Sequence, residues 1–188
     1  MNKTGTKRIE TPRLILRPFV PEDAEAMYRN WASDPAVTEF LTWPPHGSVE
    51  TTRLLLADWC PRYAGGDYFQ WAIELRELGE AVGSIAAVKL IESVDAAELG
   101  YCLGRAWWGR GLMPEALGAV LDYLFDEVGL RRVAACHDSR NPRSGRVMEK
   151  AGMRLEGTWR QAGRNNRGIC DEVWHSMLRA DREGKERP

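Results

Sequence analysis

The sequence predicts one α/β (α+β) domain in which a mixed, mostly antiparallel sheet is flanked by helices. Three observations predict this class. The chain has 188 residues, of which 44% are hydrophobic and 28% are charged, which is the balance of one globular domain. Strand-like and helix-like patterns follow one another in the order β-α-α-β-β-β-α-β-α-β-β. Neither an internal repeat nor a low-complexity linker interrupts this order.

The first third of the chain is predicted to supply one strand and two helices. In chain order, the segments are a strand over 13–17, a helix over about 22–31, an ordered loop over 34–47 and a helix over about 48–59. Leu14 and Leu16 have the spacing of a strand, and Pro21 stands just before the first helix. The loop contains three prolines, and Ser48 is a candidate N-cap for the second helix.

The rest of the chain is predicted to complete the sheet and to add two helices. In chain order, the segments are strands over about 69–75, 82–90 and 98–103, a helix over about 114–128, a strand over 133–136, a helix over about 142–152, and strands over about 155–161 and 172–178. Apolar residues recur at helical spacing between Pro114 and Gly129, which mark the ends of the longest helix. Asn141 and Pro142 have the order of an N-cap and a first-turn proline.

Charge and composition exclude several classes of protein. The formal net charge is −1, so no overall field attracts the chain to nucleic acid or anionic lipid. The sequence contains neither an apolar run of about 18 residues nor a recognisable secretion signal. The four cysteines are widely spaced and the three histidines lack ligand spacing, so we expect reduced thiols and no metal site. We therefore expect a cytoplasmic protein with no membrane partner and no direct contact to nucleic acid.

A glycine-rich turn before the longest predicted helix carries the strongest functional signal. Gly109 and Gly111 precede Pro114 there, and the free N–H groups and the dipole at a helix start favour bound phosphate. Two known phosphate motifs do not fit. A dinucleotide fingerprint needs glycine in place of Pro114, and a Walker loop needs lysine in place of Arg110. A G-x-G turn that opens a helix remains, and we call residues 108–113 the phosphate turn.

Several motifs in the right order resemble one enzyme superfamily. Residues 108–116, W-G-R-G-L-M-P-E-A, resemble the diphosphate-binding turn of the GNAT acyl-CoA N-acyltransferases. Residues 141–144, N-P-R-S, are similar to the N-x-x-S segment of the same superfamily. Residues 11–18 and 98–103 resemble the RimJ/RimL branch, which acetylates the N-terminal amine of ribosomal proteins. The resemblance therefore implies acetyl-CoA as the co-substrate.

The resemblance extends from about Ile9 to Arg179. It implies one GNAT-like domain over 9–180, followed by a charged tail over 181–188 that we expect to fray. Two features depart from the family pattern. Trp108 and Met113 stand at the ends of the phosphate turn where the family has Gln or Arg and a small residue. Met148 stands where many members have an acidic tyrosine, so the family's usual proton donor to the thiolate is missing.

The implied reaction is direct transfer of the acetyl group to a primary amine in a ternary complex. It requires a base for the amine, a hydrogen-bond donor to the oxyanion and a proton for the departing thiolate. Glu98 is the candidate base, although a strand carboxylate facing solvent has the same pattern. The backbone N–H near Leu103 is the candidate oxyanion donor. Ser144 is the candidate acid, although a first-turn serine also bonds helix N–H groups.

The predicted site combines a strand end, the phosphate turn and a helix start. The cofactor-binding residues are Cys102, Leu103, Arg105, Trp108, Gly109, Arg110, Gly111, Leu112, Met113, Asn141 and Ser144. In the family, the backbone amides of the turn face the diphosphate. The resemblance implies that Arg105 and Arg110 face it as well. It also gives Asn141 a hydrogen bond to the pantetheine arm. The acceptor groove is expected to be walled by Trp31, Trp43 and Trp71, although tryptophans of this kind usually pack in a core.

The acceptor amine is open at this stage. The resemblance favours a protein N-terminal alanine or serine, which would make a ribosomal protein a partner. The same branch also includes enzymes for small amines such as polyamines, amino acids and antibiotics. Ten basic and three acidic residues between Arg131 and Arg167 give that region a net charge of +7, which suits the ribose phosphate of coenzyme A or a docking patch. A homodimer is also open.

Two readings without amine transfer also remain. One is a sensor that binds acyl-CoA without turnover, because a fold specifies a pocket more reliably than a reaction. The other is a small hydrolase, because residues 100–104 match a G-x-C-x-G nucleophile elbow with Cys102 as the nucleophile. That elbow must lead straight into a helix, whereas the helix marker Pro114 lies well downstream.

Overall fold

The computed structural model describes residues 1–183, with side chains through residue 182. Eight strands form one sheet. They are β1 (Ile9–Glu10), β2 (Leu14–Arg17), β3 (Gln70–Leu75), β4 (Glu80–Ile91), β5 (Ala96–Leu103), β6 (Arg132–Asp138), β7 (Arg154–Asn165) and β8 (Gly168–Leu178). Their order across the sheet is β1-β2-β3-β4-β5-β6-β8-β7. All neighbours are antiparallel except β5 and β6, so the predicted mixed, mostly antiparallel sheet is confirmed.

Helices cover both faces of this sheet. They are α1 (Ala24–Met27, continued by the π-helical turn Tyr28–Ala32), α2 (Pro35–Thr38), α3 (Val49–Arg62), α4 (Leu112–Asp126), α5 (Pro142–Lys150) and α6 (Arg179–Glu183). We call the face that packs against α4 and α5 the front face, where Leu117, Leu121 and Met148 are buried. The other is the back face, where α1 and α3 bury Met27 and Leu56. No helix of the described residues is long and apolar enough to cross a bilayer.

One opening interrupts the sheet. The parallel pairing of β5 with β6 begins at Ala96 and ends where Leu99 faces Ala135. Beyond that point β5 stays paired with β4 up to Leu103, while β6 stays paired with β8 up to Asp138. The two central strands therefore diverge over their last residues.

Several boundaries differ from the predictions for local reasons. The loop predicted over 34–47 contains α2, because Asp34 accepts a hydrogen bond from the Ala36 N–H at 2.9 Å and Pro35 opens the helix. The longest helix begins at Leu112 rather than at Pro114, because Gly111 is its N-cap with φ of 75°. The gap between the strands predicted over about 155–161 and 172–178 shrinks to a short turn, because β7 continues past a bulge between Trp159 and Gly163.

The C-terminal segment also differs from its prediction. The tail predicted over 181–188 lies in part outside the described residues, but its first residues are ordered as part of α6. The Arg182 guanidinium binds Asp122 and Asp126 of α4 and lies 5.2 Å from the centre of the Phe125 ring. These contacts attach Arg182 to α4.

Candidate active site

The opening between β5 and β6 leads into a cleft of about 860 Å³. Four segments line it: the end of β5, the region from Trp107 to Pro114, the end of β6 with one side of α5, and residues around α2. Nine of the eleven residues predicted to bind the cofactor are in this lining. They are Cys102, Leu103, Trp108, Gly109, Gly111, Leu112, Met113, Asn141 and Ser144. The structure therefore brings together residues from three separate parts of the chain.

Two backbone N–H groups of β5 face the opening. Gly104 N donates to Val82 O at 2.8 Å, and the register pairs Leu103 with Gly83. Because hydrogen-bonded and non-hydrogen-bonded pairs alternate in an antiparallel ladder, the N–H groups of Tyr101 and Leu103 point away from β4. The pairing with β6 has already ended at Leu99, so these N–H groups face the cleft. They are suitably placed to donate to an oxyanion.

The phosphate turn presents its backbone to the cleft at the start of α4. Gly109 and Gly111 have φ of 77° and 75°, which a side chain would strain. Space beside Gly109 is open, as no atom lies within 4 Å of an added Cβ. The dipole of a fifteen-residue helix favours an anion there. The turn therefore fits a diphosphate.

Trp108, which departs from the family pattern, lies along the end of β5. Its indole N–H donates to the carbonyl oxygen of Leu103 at 2.6 Å. The Arg143 guanidinium of α5 lies 5.8 Å from the centre of the Trp108 ring. The side chain is therefore held against the strand end by one bond and covered by one cation.

Ser144 in the first turn of α5 has a partner on β5. Its Oγ lies 2.9 Å from the Tyr101 Oη, which also donates to the Ser144 carbonyl oxygen at 3.0 Å. Burial raises the pKa of the Tyr101 phenol well above its usual value, against a smaller lowering by the Ser144 hydrogen bond. Met148 is 1% exposed and packs in the front core, so the usual tyrosine position holds an apolar side chain. Sequence analysis missed Tyr101, whose strand alternation places it on the front face.

Asn141 faces the cleft rather than its own helix. It occupies the N-cap position of α5, but its side chain forms no capping hydrogen bond. The predicted capping role of the side chain is therefore wrong. The Asn141 N–H donates to Asp138 O at 2.7 Å, which holds the backbone and leaves the amide group among the lining residues.

Two residues at the end of β6 were not predicted to line the site. His137 packs against Gly145 of α5 and stacks on His175, with ring centres 5.6 Å apart. Hydrogen bonds from Arg140 hold the pKa of Asp138 well below its usual value despite its burial, and Asn165 adds a further bond. In residues 1–183 there is no group of three or more His, Cys, Asp or Glu side chains that could hold a metal.

Glu98 lies on the back face at the closed end of the opening. It alternates with Ala97 and Leu99, which pack in the front core, and its carboxylate is 3.3 Å from the Lys89 Nζ. Glu98 is not among the cleft lining. Burial, followed by the charges of Glu172 and Glu98, raises the pKa of the Cys136 thiol to about 12. Both carboxylates therefore lie near Cys136, the first residue of β6 beyond its pairing with β5.

Two arginines predicted to face the diphosphate lie elsewhere. Arg105 forms an ion pair with Asp34 at 3.1 Å, at the start of α2. Arg110 lines a separate groove of about 410 Å³ with Pro12, Arg13 and Arg76. Neither is in the lining of the cleft, so the structure does not bring these two side chains together with the other predicted cofactor-binding residues. Opposite charge draws the Arg105 side chain to Asp34. Arg110 lies between Gly109 and Gly111, where the turn of the backbone directs its side chain to the separate groove.

The predicted acceptor tryptophans are divided by burial. Trp31 and Trp71 are completely buried, in the back and front cores respectively, and the Trp71 indole donates to Lys7 O at 2.7 Å. Neither ring can contact an acceptor, so these two predictions are wrong. Trp43 is half-buried against His46, just beyond the residues around α2 that line the cleft.

Comparison with known proteins agrees with this geometry. The family model described as Acetyltransferase (GNAT) domain matches residues 13–154. The protein named "Uncharacterized N-acetyltransferase YoaA" from Bacillus subtilis (strain 168) is 31% identical over 171 residues, which are 91% of this chain and 96% of that protein. Ribosomal protein uS5-alanine N-acetyltransferase from Escherichia coli (strain K12) is 38% identical over 65 residues, which are 35% and 34% of the two chains.

The fold agrees as well. A crystal structure of a GNAT-family acetyltransferase from Bacillus anthracis superimposes with a TM-score of 0.81 at 27% identity, over 92% of this chain and 98% of that chain. The family predicted from the phosphate turn and the N-x-x-S segment is thereby confirmed. The chain belongs to the GNAT family and is an acetyl-CoA-dependent N-acetyltransferase.

Proposed function

We propose that the acceptor is the N-terminal amine of a protein that begins with alanine or serine. The observation that carries this proposal is the character of the cleft lining around α2, which we assign to the acceptor and call the acceptor end. Ala36, Val37, Phe40 and Leu41 line it. A small first side chain fits such an apolar surround better than a polar or charged one.

The charges of the cleft favour the same acceptor over a polyamine. The two carboxylates among its lining residues are already paired, Glu39 with Arg167 at 2.6 Å and Asp138 with Arg140 at 2.6 Å. A ligand with several ammonium groups would need free carboxylates along its length. An N-terminus brings one ammonium group only. The similarity to the uS5-alanine enzyme supports a protein acceptor as well.

The residues around α2 are held by a distant part of the chain. In the turn between β7 and β8, Asn166 N donates to Leu41 O at 3.1 Å, and the Asn166 side-chain amide donates to the carbonyl oxygens of Thr38 and Trp43 at 2.8 Å. These bonds fix the apolar residues of this end of the cleft relative to the sheet.

The proposed reaction uses residues from both sides of the opening. Glu98 on the back face takes a proton from the ammonium group through water, and the neutral amine attacks the thioester carbonyl. The Leu103 N–H, with that of Tyr101, donates to the developing oxyanion. The C–S bond breaks, and the Ser144 hydroxyl, which Tyr101 orients, gives its proton to the thiolate while it takes up, through water, the proton that the attacking nitrogen loses as it becomes an amide. The glycine turn and Asn141 hold acetyl-CoA so that its thioester reaches the opening.

An acceptor screen tests this function directly. Acetyl-CoA binding is measured by calorimetry, and thiol release is then followed with peptides that begin with Ala or Ser. Matched controls are the same peptides with a blocked N-terminus, together with polyamines, amino acids and aminoglycosides. We expect release with the free peptides only, and a mass increase of one acetyl group on residue 1. Release with polyamines alone contradicts the acceptor, and binding without any release favours a sensor.

Cys102→Ala should keep normal transferase turnover, because Cys102 has no nucleophilic role. Burial raises the pKa of its thiol, and its Sγ lies 3.4 Å from the Ser84 Oγ. The strand ends at Leu103, and α4 begins only at Leu112, so no nucleophile elbow forms. Thiol release and hydrolysis of p-nitrophenyl acetate are the measurements. An esterase activity that disappears in the variant would restore the hydrolase hypothesis.

A further inference from the structure

We propose that Arg13 is a positioning residue that orients the phosphate-binding amides from behind the turn. Its guanidinium donates to two successive carbonyl oxygens of the phosphate turn. Nη1 binds Arg110 O at 2.8 Å and Nη2 binds Gly111 O at 3.2 Å. These contacts join the loop before β2 to a turn 97 and 98 positions later in the chain.

Because of the geometry of the peptide bond, these two contacts also fix the orientation of two backbone N–H groups. In a trans peptide unit the C=O and the N–H point in opposite directions. The carbonyl of Arg110 shares its unit with the Gly111 N–H, and that of Gly111 shares its unit with the Leu112 N–H. Because Arg13 draws both carbonyls to its own side, both N–H groups face away from Arg13. Gly111 lines the cleft and Arg13 does not, while Leu112 lines both the cleft and the separate groove that Arg13 lines.

The flexibility of the turn explains why such a restraint is needed. Gly109 and Gly111 both have positive φ, and glycine adopts many backbone conformations with little difference in energy. An unrestrained glycine peptide can rotate so that its carbonyl oxygen faces an anion instead of its N–H. Two charge-assisted hydrogen bonds from one planar guanidinium disfavour that rotation.

Arg13 is itself held in place by a carboxylate of α4. Its Nε donates to Glu115 Oε2 at 2.6 Å, and its backbone N–H donates to Glu115 Oε1 at 3.0 Å. Thr11 Oγ donates to the same Oε1 at 2.7 Å. Burial acts to raise the pKa of Glu115, but these bonds together hold it below its usual value. Glu115 is therefore ionised at neutral pH.

The pairing with Glu115 decides how Arg13 acts. The Glu115 side chain is 17% exposed, so the guanidinium charge is neutralised at close range. An uncompensated cation would attract phosphate through its charge. The Arg13–Glu115 ion pair instead acts mainly by fixing the orientation of the turn amides. The role differs from that of Arg17 on β2, which binds Asp23 and Glu74 and has no contact with the turn.

This inference rests on the proposed diphosphate site and is tested by comparing two donors. Acetyl-CoA contains the diphosphate, and S-acetylpantetheine lacks it together with the adenosine. For Arg13→Ala we expect about tenfold weaker binding of acetyl-CoA, and of its dephospho form without the 3′-phosphate, as expected for loss of oriented hydrogen bonds. The affinity for S-acetylpantetheine and kcat at saturating acetyl-CoA should not change. Calorimetry and steady-state kinetics are the measurements.

Two further variants complete the experiment. Arg13→Lys keeps the charge but has one nitrogen in place of the three that bind Glu115 and the two carbonyls, so its affinity for acetyl-CoA should be intermediate. It also carries the test if Arg13→Ala does not fold. Arg132→Ala is the matched control, because it removes a two-contact ion pair with Glu156 at 2.6 Å that lies away from the cleft lining. Its affinity for both donors should equal that of the wild type.

The outcomes separate the two ideas. If the wild type prefers acetyl-CoA to S-acetylpantetheine and the Arg13 variants lose that preference, the inference holds. If the wild type prefers acetyl-CoA and the variants keep that preference, Arg13 is not a positioning residue, but the diphosphate site stands. The same conclusion follows if the variants bind both donors more weakly by the same factor. If the wild type binds both donors equally, the site proposal and this inference are both wrong.

Discussion

Glu98→Gln is expected to lower kcat by about 10²-fold, which is typical of removing a general base, and to leave the affinity for acetyl-CoA unchanged. The substitution keeps the size of the side chain and removes its capacity to accept a proton. Glu98 is on the back face, one residue before Leu99, where the pairing of β5 with β6 ends. Burial and then the charges of Glu172 and Glu98 raise the pKa of the Cys136 thiol, so the Glu98 carboxylate lies near the point where β5 and β6 separate. Thiol release at saturating acceptor is the measurement.

Two neighbouring variants show which feature of Glu98 matters. Lys89→Gln removes the ammonium group that lies 3.3 Å from the Glu98 carboxylate but keeps the carboxylate itself. It should therefore lower kcat far less than Glu98→Gln does. Glu92→Gln removes an exposed carboxylate of the turn between β4 and β5 and should have no effect on turnover. Full turnover of Glu98→Gln would exclude the base. If Glu172→Gln then lost activity, the second carboxylate near Cys136 would take the role.

Features with local causes were predictable from the sequence. Pro114, Gly129 and the Asn141-Pro142 pair mark helix boundaries through their own backbone chemistry, and the ends of α4 and α5 lie within a few residues of the predicted ones. The G-x-G turn was recognisable for the same reason, since glycine at positive φ is a local requirement. The family followed from such local motifs in a fixed order.

Features with tertiary causes were not predictable. Arg105 was expected at the diphosphate because of its position near the turn, but Asp34, far away in the chain, holds it at 3.1 Å. The Tyr101 contact with Ser144 depends on how α5 packs on β5, which no local pattern contains. Trp31 and Trp71 show the same limit, because an aromatic residue in a helix or strand has one pattern whether it walls a groove or fills a core.

Ser144→Ala is expected to lower kcat by about 10²-fold, in the range found when a catalytic proton or hydrogen-bond donor is removed. The reason is the position of Ser144, which lines the cleft together with Tyr101 and Leu103 and whose Oγ lies 2.9 Å from the Tyr101 Oη. Acetyl-CoA affinity should change little, because Asn141 and the turn amides supply the other contacts. Single-turnover measurements of thiol release separate the chemical step from product release.

Tyr101→Phe distinguishes an oriented serine from an isolated one. The phenol hydrogen has two acceptors, the Ser144 Oγ and the Ser144 carbonyl oxygen. When it points to Oγ, the Ser144 hydrogen is free to face the cleft; without the phenol, that hydroxyl can turn to other acceptors. The loss in kcat should therefore be smaller than for Ser144→Ala, and the unfolding free energy should fall by about 1 kcal/mol for one lost hydrogen bond.

A double variant decides between shared and separate roles. If Tyr101 acts only through Ser144, the Ser144→Ala, Tyr101→Phe double variant should have the same kcat as Ser144→Ala alone. Ser139→Ala, an exposed serine before α5, is the control and should keep wild-type turnover. If the two losses multiply instead, Tyr101 contributes independently of Ser144. If Ser144→Ala keeps full kcat, the thiolate obtains its proton from water, and the Tyr101–Ser144 pair serves only to attach α5 to β5.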